Sequence, residues 1–196
     1  MDLSLITWNV RGLRRKEKKK AIRDLSRRYK TKMIFVQETK METIQRREVK
    51  RLWGSDSFNY EFAAANGSAG GLLCIWDDSV FTVSDTVVKD RFVALIGVWQ
   101  QSKVRCGFLN LYGPSVDNEK ASFLAEVLAF LKSWQIPWCV GGDFNVFLSS
   151  EEKIGFTLNK SLLNLFNQFV NEAGLIDLPL VGGNSHGATI GIPLLT

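Results

Sequence analysis

Residues 138–145 read WCVGGDFN, which joins a short apolar run to a polar end. Trp138 to Val140 has the length and composition of a strand that is buried on both faces. The two glycines that follow would let other backbone approach closely, because they carry no side chain. Asp143 and Asn145 then supply a carboxylate and an amide. The run therefore predicts a strand that delivers polar groups to the edge of a sheet.

Three other apolar runs end in polar residues in the same way. They are Leu3–Trp8 with Asn9, Met33–Val36 with Gln37 and Glu38, and Cys106–Leu109 with Asn110 and Tyr112. Ligands of open α/β sheets bind outside strand ends, where loops converge, so four such endings predict one shared site. For any single ending, a turn residue or a helix cap remains the alternative interpretation.

These side chains fit phosphate chemistry that uses a hard divalent metal ion. Mg²⁺ prefers oxygen ligands and typically takes one or two carboxylates together with water and substrate phosphate oxygens, so Glu38 is the candidate ligand, alongside Asn9. Asp143 would orient and deprotonate a water for in-line attack on phosphorus. Asn145, Asn9 and Tyr112 would donate hydrogen bonds to the phosphoryl oxygens. The expected cofactor is Mg²⁺ or Mn²⁺.

Positive charge is concentrated near the start of the chain. The net charge is +5, yet residues 11–32 alone contain twelve Lys or Arg and only two acidic residues. Such clustering favours a polyanionic partner such as DNA, because neutralised phosphates release condensed counterions. The basic residues nearest the predicted site are Arg11, Arg14, Arg15 and Lys16. A solvated helix face is the alternative, and the run 14–20 would also serve as a nuclear localisation signal.

Length and composition indicate one globular domain. The chain has 196 residues, of which 45% are hydrophobic and 23% charged, so a conventional core needs no disulfides. Cys74, Cys106 and Cys139 lie singly in apolar runs and predict reduced core residues rather than a disulfide framework or a zinc site. No apolar stretch approaches the roughly 18 residues of a membrane span, and no secretory signal pattern is present. We therefore expect no membrane partner and a location in the cytosol or nucleus.

Apolar runs alternate with amphipathic segments along the chain. Helical spacing of apolar residues predicts helices at Lys18–Tyr29, Thr43–Trp53, Phe123–Trp134 and from Leu162 to Phe169. Further strands are predicted at Phe58–Ala64, Gly71–Trp76, Val80–Val88, Phe92–Trp99 and Val104–Leu111. Helices at both ends with strands between them predict layers of sheet and helix around one core, in a mixed α/β sandwich.

Four short motifs occur along the chain in an order and at separations that are similar to those of a known protein family. They are Trp8-Asn9-Val10-Arg11-Gly12, Gln37-Glu38-Thr39, Asn110-Leu111-Tyr112-Gly113-Pro114 and Gly142-Asp143-Phe144-Asn145. In this order they resemble the endonuclease/exonuclease/phosphatase family, whose fold is that of deoxyribonuclease I. Within it, they are most similar to the endonuclease domains of plant LINE-type retrotransposons. The resemblance covers residues 1–183 and leaves 184–196 as a tail that does not match.

This resemblance implies an α/β (α+β) fold, a four-layer sandwich of two mixed β-sheets with outer helices, and metal-dependent hydrolysis of a phosphodiester. By position, Glu38 corresponds to the family's metal-binding glutamate and Asn9 to its first-strand asparagine. Tyr112 corresponds to its phosphate-facing tyrosine. Asp143 and Asn145 correspond to the pair that positions the nucleophile and steadies the transition state.

Two parts of the sequence depart from the family pattern. Arg11 stands where some abasic-site endonucleases carry an acidic residue, which implies a leaner metal shell. An acidic residue on a late strand and a closing Ser-Asp-His are absent, and Asp177 comes too early to replace the former. We therefore expect a C-terminally truncated domain without its last strands. His186, the only histidine, follows a Gly-Gly-Asn-Ser turn and is interpreted as an exposed loop residue.

Three functions are open from the sequence. The first is a magnesium-dependent DNA endonuclease of retrotransposon type, impaired by the missing Ser-Asp-His, acting as a monomeric domain with a reverse transcriptase region encoded downstream. The second is a catalytically silent copy that at most binds nucleic acid. The third is the phosphatase branch of the same family, acting on a small molecule, which the basic helix and the LINE-like motifs disfavour.

Overall fold

A computed structural model describes residues 3–67, 69–146, 160–177 and 189–191 of the chain. The helices are α1 (Lys16–Tyr29), α2 (Arg46–Trp53), α3 (Asp117–Ser133) and α4 (Lys160–Glu172). The strands are β1 (Leu5–Asn9), β2 (Met33–Gln37), β3 (Asn59–Ala63), β4 (Leu72–Trp76), β5 (Phe81–Lys89), β6 (Phe92–Trp99), β7 (Val104–Tyr112), β8 (Trp138–Asp143), β9 (Ile176–Asp177) and β10 (Thr189–Gly191).

The strands form two mixed sheets. The first has the order β1-β2-β4-β3, with β1 and β2 parallel and the other pairs antiparallel. The second has the order β5-β6-β7-β8-β10-β9, with β7 and β8 as its one parallel pair. Parallel neighbours need a crossover connection, and α1 and α3 provide it. Each sheet therefore contains one βαβ unit, and the site is built at the ends of these two units.

Three apolar clusters fill the three spaces between four layers. On the outer face of the first sheet, Ile22 of α1 and Val49 of α2 pack against the strands. Between the sheets, Phe35 of the first packs with Phe108 of the second. On the outer face of the second sheet lie α3 and α4, with Val127 among the buried residues. The predicted four-layer sandwich of two mixed sheets with outer helices is thus confirmed.

Several element bounds differ from the predicted ones. Strands β1, β7 and β8 continue into Asn9, Tyr112 and Asp143, because these residues still pair with neighbouring strands. Helix α2 begins only at Arg46, where the Glu48 carboxylate accepts a hydrogen bond from the backbone N–H of Gln45 (3.2 Å). The short strands β9 and β10 were not predicted.

The three cysteines are free and buried, in agreement with the prediction that they are core residues. Within the described ranges, no helix has the length and apolarity needed to cross a membrane. In the segment predicted as a non-matching tail, Thr189–Gly191 pairs with both β8 and β9. The prediction for His186 lies outside the described residues, and so do residues 178–183.

Candidate active site

Side chains that face the space between the sheets change from apolar to polar at one end of the sandwich. Alternate residues of a strand point to the same face, so the change can be followed along each strand. The series are Leu5, Thr7 and Asn9 on β1, Met33, Phe35 and Gln37 on β2, Cys106, Phe108, Asn110 and Tyr112 on β7, and Cys139, Gly141 and Asp143 on β8. The candidate site is the polar end of this layer.

Asn9 joins residues of the two sheets at this end. Its side-chain nitrogen Nδ2 donates to Oε1 of Glu38 (2.8 Å), which directly follows β2. The same nitrogen donates to Oδ2 of Asp143 (2.7 Å), the last residue of β8. The amide oxygen of Asn9 accepts a hydrogen bond from the backbone N–H of Arg11 (3.1 Å). Three residues predicted from separate strand ends therefore meet around one amide.

Tyr112 and Asn145 complete the group. The Tyr112 hydroxyl lies near the side chains of Glu38, Ser115 and Asn145, and all three act on its pKa. Burial raises the pKa of Tyr112, and the nearby Glu38 carboxylate acts in the same direction. The phenol is therefore protonated at neutral pH and available as a donor. All five predicted residues, at positions 9, 38, 112, 143 and 145, lie together.

Asp143 is held by its neighbours in the chain. The backbone N–H of Asn145 donates to Oδ1 of Asp143 (2.9 Å), which leaves Oδ2 directed at Asn9. The side chain of Asn145 donates in turn to the carbonyl oxygen of Gly113 (2.7 Å). A Cβ atom on Gly142 would lie 2.0 Å from the carbonyl oxygen of Leu111, and φ is +144° there. Glycine at this position is thus needed for the close approach of β8 to β7.

Backbone strain is concentrated around the same group. The structure has six non-glycine residues with positive φ in the described ranges. Four of them surround the site, namely Arg11 (+47°), Glu38 (+51°), Lys40 (+54°) and Asn145 (+53°). A left-handed conformation costs a non-glycine residue roughly 1–2 kcal/mol. Such strain persists where the surroundings impose it, and it is typical of functional sites.

The loop after β1 is fastened to the loop after β2. Backbone N–H groups of Val10, Gly12 and Leu13 donate to the carbonyl oxygens of residues 37–39, at 3.0, 2.7 and 2.9 Å. From the other side, the Lys18 ammonium donates to the carbonyl oxygens of Val10 and Arg11. This places Arg11 beside Glu38. Hydrogen bonds between the two loops, together with those from Lys18, therefore hold the left-handed turns at Arg11 and Glu38.

A basic cleft adjoins the site. Arg11, Arg14 and Arg15 line it together with Lys40 and residues 12, 42 and 67, and its volume is about 460 Å³. The Lys40 ammonium lies 3.9 Å from Oε2 of Glu38, so Lys40 links the cleft to one of the two carboxylates. Lys16, the fourth predicted DNA contact, is exposed at the start of α1 and does not line the cleft.

Two lysines beside the candidate site, Lys18 and Lys40, are not among the residues predicted from the sequence. Lys40 directly follows the Gln37-Glu38-Thr39 motif, but the sequence offers no reason to place its ammonium group beside Glu38. Lys18 had a usable signal, because it lies four residues before the buried Ile22 and hence on the same face of α1. Lys18, on the buried face of the helix, holds backbone carbonyl oxygens, whereas its exposed neighbours face solvent.

The donor set fits a hard divalent cation. Glu38 and Asp143 lie within hydrogen-bond reach of one amide nitrogen, and Mg²⁺ commonly uses two carboxylates with water and phosphate oxygens. Throughout the described part of the chain, no three His, Cys, Asp or Glu side chains gather into a metal-holding group. Glu38 and Asp143 are therefore the carboxylates that the described residues offer here. Coordination by the Asn9 oxygen would require its amide to turn away from Arg11.

Comparison with known proteins identifies a family match. A model described as the endonuclease/exonuclease/phosphatase family matches residues 6–191 of the chain. No curated protein matches the sequence at a significant level. The family match spans both βαβ units and all five residues of the site.

Solved structures of low sequence identity share the fold. An AP endonuclease from Leishmania major superposes with a TM-score of 0.68 at 16% identity, covering 89% of this chain and 68% of that one. An AP endonuclease from Archaeoglobus fulgidus gives 0.68 at 16% identity, covering 89% and 72%. A mannosyl-6-phosphatase from Bacteroides thetaiotaomicron gives 0.66 at 13% identity, covering 90% and 73%. Identities this low establish a common architecture and nothing finer.

Proposed function

Because this chain belongs to the endonuclease/exonuclease/phosphatase family, we propose that it hydrolyses the phosphodiester backbone of DNA in a reaction that needs Mg²⁺ or Mn²⁺. One observation carries the proposal. The carboxylates of Glu38 and Asp143, from different sheets, meet at the amide of Asn9. This arrangement lies beside a cleft that arginines line.

The residues divide the work of phosphodiester hydrolysis among them. Glu38 would hold the metal ion, together with Asn9 once its amide has turned. When bound, the ion would polarise a phosphoryl oxygen and offset the charge that develops on it. Asp143, oriented by the backbone of Asn145, would align a water and accept its proton. The protonated Tyr112 hydroxyl would donate to a phosphoryl oxygen.

The basic cleft supports DNA as the substrate. Arg11, Arg14 and Arg15 line this cleft together with Lys40, which lies 3.9 Å from Glu38, and Lys16 is exposed nearby at the start of α1. Contacts of this kind bind the phosphate backbone without reading the base sequence. A small phosphorylated molecule would have less use for four cations spread over this surface. DNA that lies across the cleft would present one phosphodiester to Glu38 and Asp143.

A retrotransposon origin is part of the proposal. It is supported by the order and the residues of the four motifs, which resemble those of plant LINE-type elements. It predicts that the genomic DNA downstream of the region encoding these residues contains a reverse transcriptase reading frame. Sequencing of that DNA tests the origin, and a downstream region without such a reading frame would contradict it.

Plasmid nicking tests the activity. We expect the purified protein to convert supercoiled plasmid to the open circular form with Mg²⁺ or Mn²⁺, and to stop when EDTA is added. Asp143→Asn should abolish nicking, because an amide cannot take the proton from water. Asp90→Asn, in the exposed turn between β5 and β6, is the matched control and should nick normally. Equal nicking by the Asp143→Asn variant and the wild type would exclude the assigned role.

The phosphatase branch is the second candidate function. The chain shares its fold with a mannosyl-6-phosphatase, and two carboxylates beside a phenol suit a phosphomonoester as well. Release of inorganic phosphate from a panel of sugar and inositol phosphates, without plasmid nicking, would favour this branch. Salt-sensitive DNA binding with neither activity would instead favour a silent nucleic-acid-binding remnant.

A further inference from the structure

A pair of buried amides lies directly beneath the candidate site. Asn110 is 0% exposed and Gln37 is 1% exposed, and they belong to different sheets. The side-chain nitrogen of Gln37 donates to the side-chain oxygen of Asn110 at 2.6 Å. This contact crosses the space between the sheets, which is otherwise filled by residues such as Phe35 and Phe108. Two primary amides thus interrupt an apolar layer.

The pair is bonded to three strands of the first sheet. Nδ2 of Asn110 donates to the carbonyl oxygens of Val36 on β2 (3.3 Å) and Leu73 on β4 (3.1 Å). Nε2 of Gln37 also donates to the hydroxyl of Thr7 on β1 (3.1 Å). One side chain of β7 is therefore fastened to β2 and β4, and through Gln37 to β1.

Each member of this network is a close neighbour in the chain of a site residue. Thr7 lies two residues before Asn9 on the same face of β1. Gln37 directly precedes Glu38, whose left-handed backbone turns the chain at that point. Asn110 lies two residues before Tyr112 on β7. The network therefore fixes the strand ends that immediately precede three of the five site residues, namely Asn9, Glu38 and Tyr112.

Stability alone does not require this network. A buried amide loses its hydration, and its hydrogen bonds recover little beyond that loss. Replacing both partners of such a bond with apolar groups of similar shape can be nearly neutral for stability. A satisfied buried network does, however, fix one geometry, because its hydrogen bonds are directional while apolar packing is not.

We propose that Asn110 and Gln37 are positioning residues that set the spacing between the Glu38 half and the Tyr112 half of the site, and thereby the affinity of the site for a divalent cation. This inference rests on the proposed function only in that Glu38 holds a cation where these two halves of the site meet. Residues that orient metal ligands from behind typically change metal affinity or activity 10- to 100-fold when they are altered.

The test replaces both amides at once. In the double variant Gln37→Leu/Asn110→Leu, the layer stays filled and neither amide is left without the other. The carbonyl oxygens of Val36 and Leu73 and the Thr7 hydroxyl each lose one donor, so the unfolding temperature should fall by a few degrees while the protein stays folded. We expect the Kd for Mn²⁺, measured by electron paramagnetic resonance without DNA, to rise about tenfold or more. In plasmid nicking, kcat should fall while KM for DNA stays unchanged, because the arginines of the cleft are untouched. A merely structural pair would leave both the Kd and kcat unchanged once stability is retained.

Two further variants sharpen the result. The exchange Gln37→Asn/Asn110→Gln keeps an amide on each sheet and should recover much of the Mn²⁺ affinity. Trp99→Phe alters the same apolar layer at the opposite end of β6 and should leave the Kd unchanged. If the double leucine variant does not fold, Thr7→Val removes one acceptor from Gln37 without a change in size and should still raise the Kd.

The outcomes separate this inference from the proposed function. Wild-type Mn²⁺ binding without nicking would contradict DNA hydrolysis, while the Kd of the variants would still decide the positioning role. An unchanged Kd in Gln37→Leu/Asn110→Leu, or in Thr7→Val should that variant be needed, would overturn the positioning role even if nicking occurs. Wild-type protein that binds no Mn²⁺ would overturn both.

Discussion

Asn9 is the residue at which the two halves of the candidate site meet. Its neutral amide donates to two carboxylates that would otherwise face each other, one from each sheet. An aspartate here would add a third negative charge, and an alanine would leave the carboxylates without their shared donor. The identity of residue 9 therefore decides whether Glu38 and Asp143 can stay close together in the absence of a cation.

The sequence predicts which residues come together at the candidate site, but it does not predict the hydrogen bonds between them. Asn9, Glu38 and Asp143 were recognisable because each ends an apolar run with a polar side chain. The hydrogen bond between Asn9 and Asp143 joins residues 134 positions apart, and its existence depends on how the two sheets pack. The left-handed backbone at Glu38 was equally invisible, because glutamate has no preference for that conformation.

Where a left-handed backbone conformation lies outside the candidate site, replacing the residue with glycine should increase the stability of the protein. Lys103 has φ of +57° in the turn between β6 and β7, far from Glu38. Lys103→Gly should raise the free energy of unfolding by about 0.5–1 kcal/mol, because relief of the left-handed strain exceeds the added chain entropy of glycine. Urea denaturation measures the change.

Asn145→Gly is the matched variant inside the site. It relieves similar strain at φ of +53° but removes the side-chain bond to Gly113 and the contact with Tyr112. We expect no gain in stability and a loss of nicking. A lower unfolding midpoint for Lys103→Gly would show that its turn is not strained.

At the scale of elements, α1 and the residues just before it contain two kinds of basic residue. Lys18 points inward and holds the carbonyl oxygens of the loop after β1. Arg14 and Arg15 lie just before the helix and line the cleft. The charge pattern alone groups these residues together, because it records their sign and not their direction. The helical phase relative to Ile22 separates Lys18 from the rest.

This division predicts different kinetic effects of the basic residues. Arg14→Ala/Arg15→Ala should raise KM and make log K for DNA binding less dependent on log salt, by a slope of about 0.9 for each lost phosphate contact. Lys18→Met should lower kcat and leave the salt slope nearly unchanged, because it frees the loop that positions Arg11 and Asn9. Nicking and DNA binding at several salt concentrations measure both.

Lys20→Ala is the control for this comparison, since Lys20 lies on the exposed face of α1 in a pair with Asp24. It should change neither kcat nor KM greatly. A salt slope that drops for Lys18→Met as much as for the arginine variant would contradict the assigned structural role of Lys18.

Long periodic elements were predictable, and short ones were not. The apolar runs that became β2, β4 and β6 are five to eight residues long, enough for a pattern to be visible. Strands β9 and β10 have only two and three residues, so their existence depends on the neighbouring β8 rather than on their own composition. The order of strands across each sheet likewise follows from tertiary packing.

For the whole molecule, the layer between the sheets makes stability dependent on pH in the alkaline range. It contains all three cysteines. Burial raises the pKa of Cys106 from 9.0 to about 11 and that of Cys139 to about 12, and it raises the pKa of Cys74 as well. In the unfolded chain these thiols lose their protons near their ordinary pKa, whereas in the folded protein they keep them. The unfolded state is therefore favoured as the pH rises above 9.

We expect the contribution of these thiols to the free energy of unfolding to be independent of pH below about pH 8. Between pH 9 and 11 it should fall. Each buried thiol should contribute about 1.4 kcal/mol per pH unit in that window. Urea denaturation at pH 8, 9 and 10 measures the slope. Cys139→Ala should make the slope shallower by the share of one thiol, and an identical slope would show that Cys139 ionises alike in both states.

Because the candidate site is assembled from both sheets, the proposed nicking activity should return late when the protein refolds. Asn9 and Glu38 belong to the first sheet and Asp143 to the second, so their hydrogen bonds form only when the two sheets have packed together. Circular dichroism should then recover before plasmid cleavage does, and cleavage should return in step with burial of tryptophan between the sheets. Enzymatic turnover would thus report the final docking event on the folding route, a stage that secondary-structure probes do not detect.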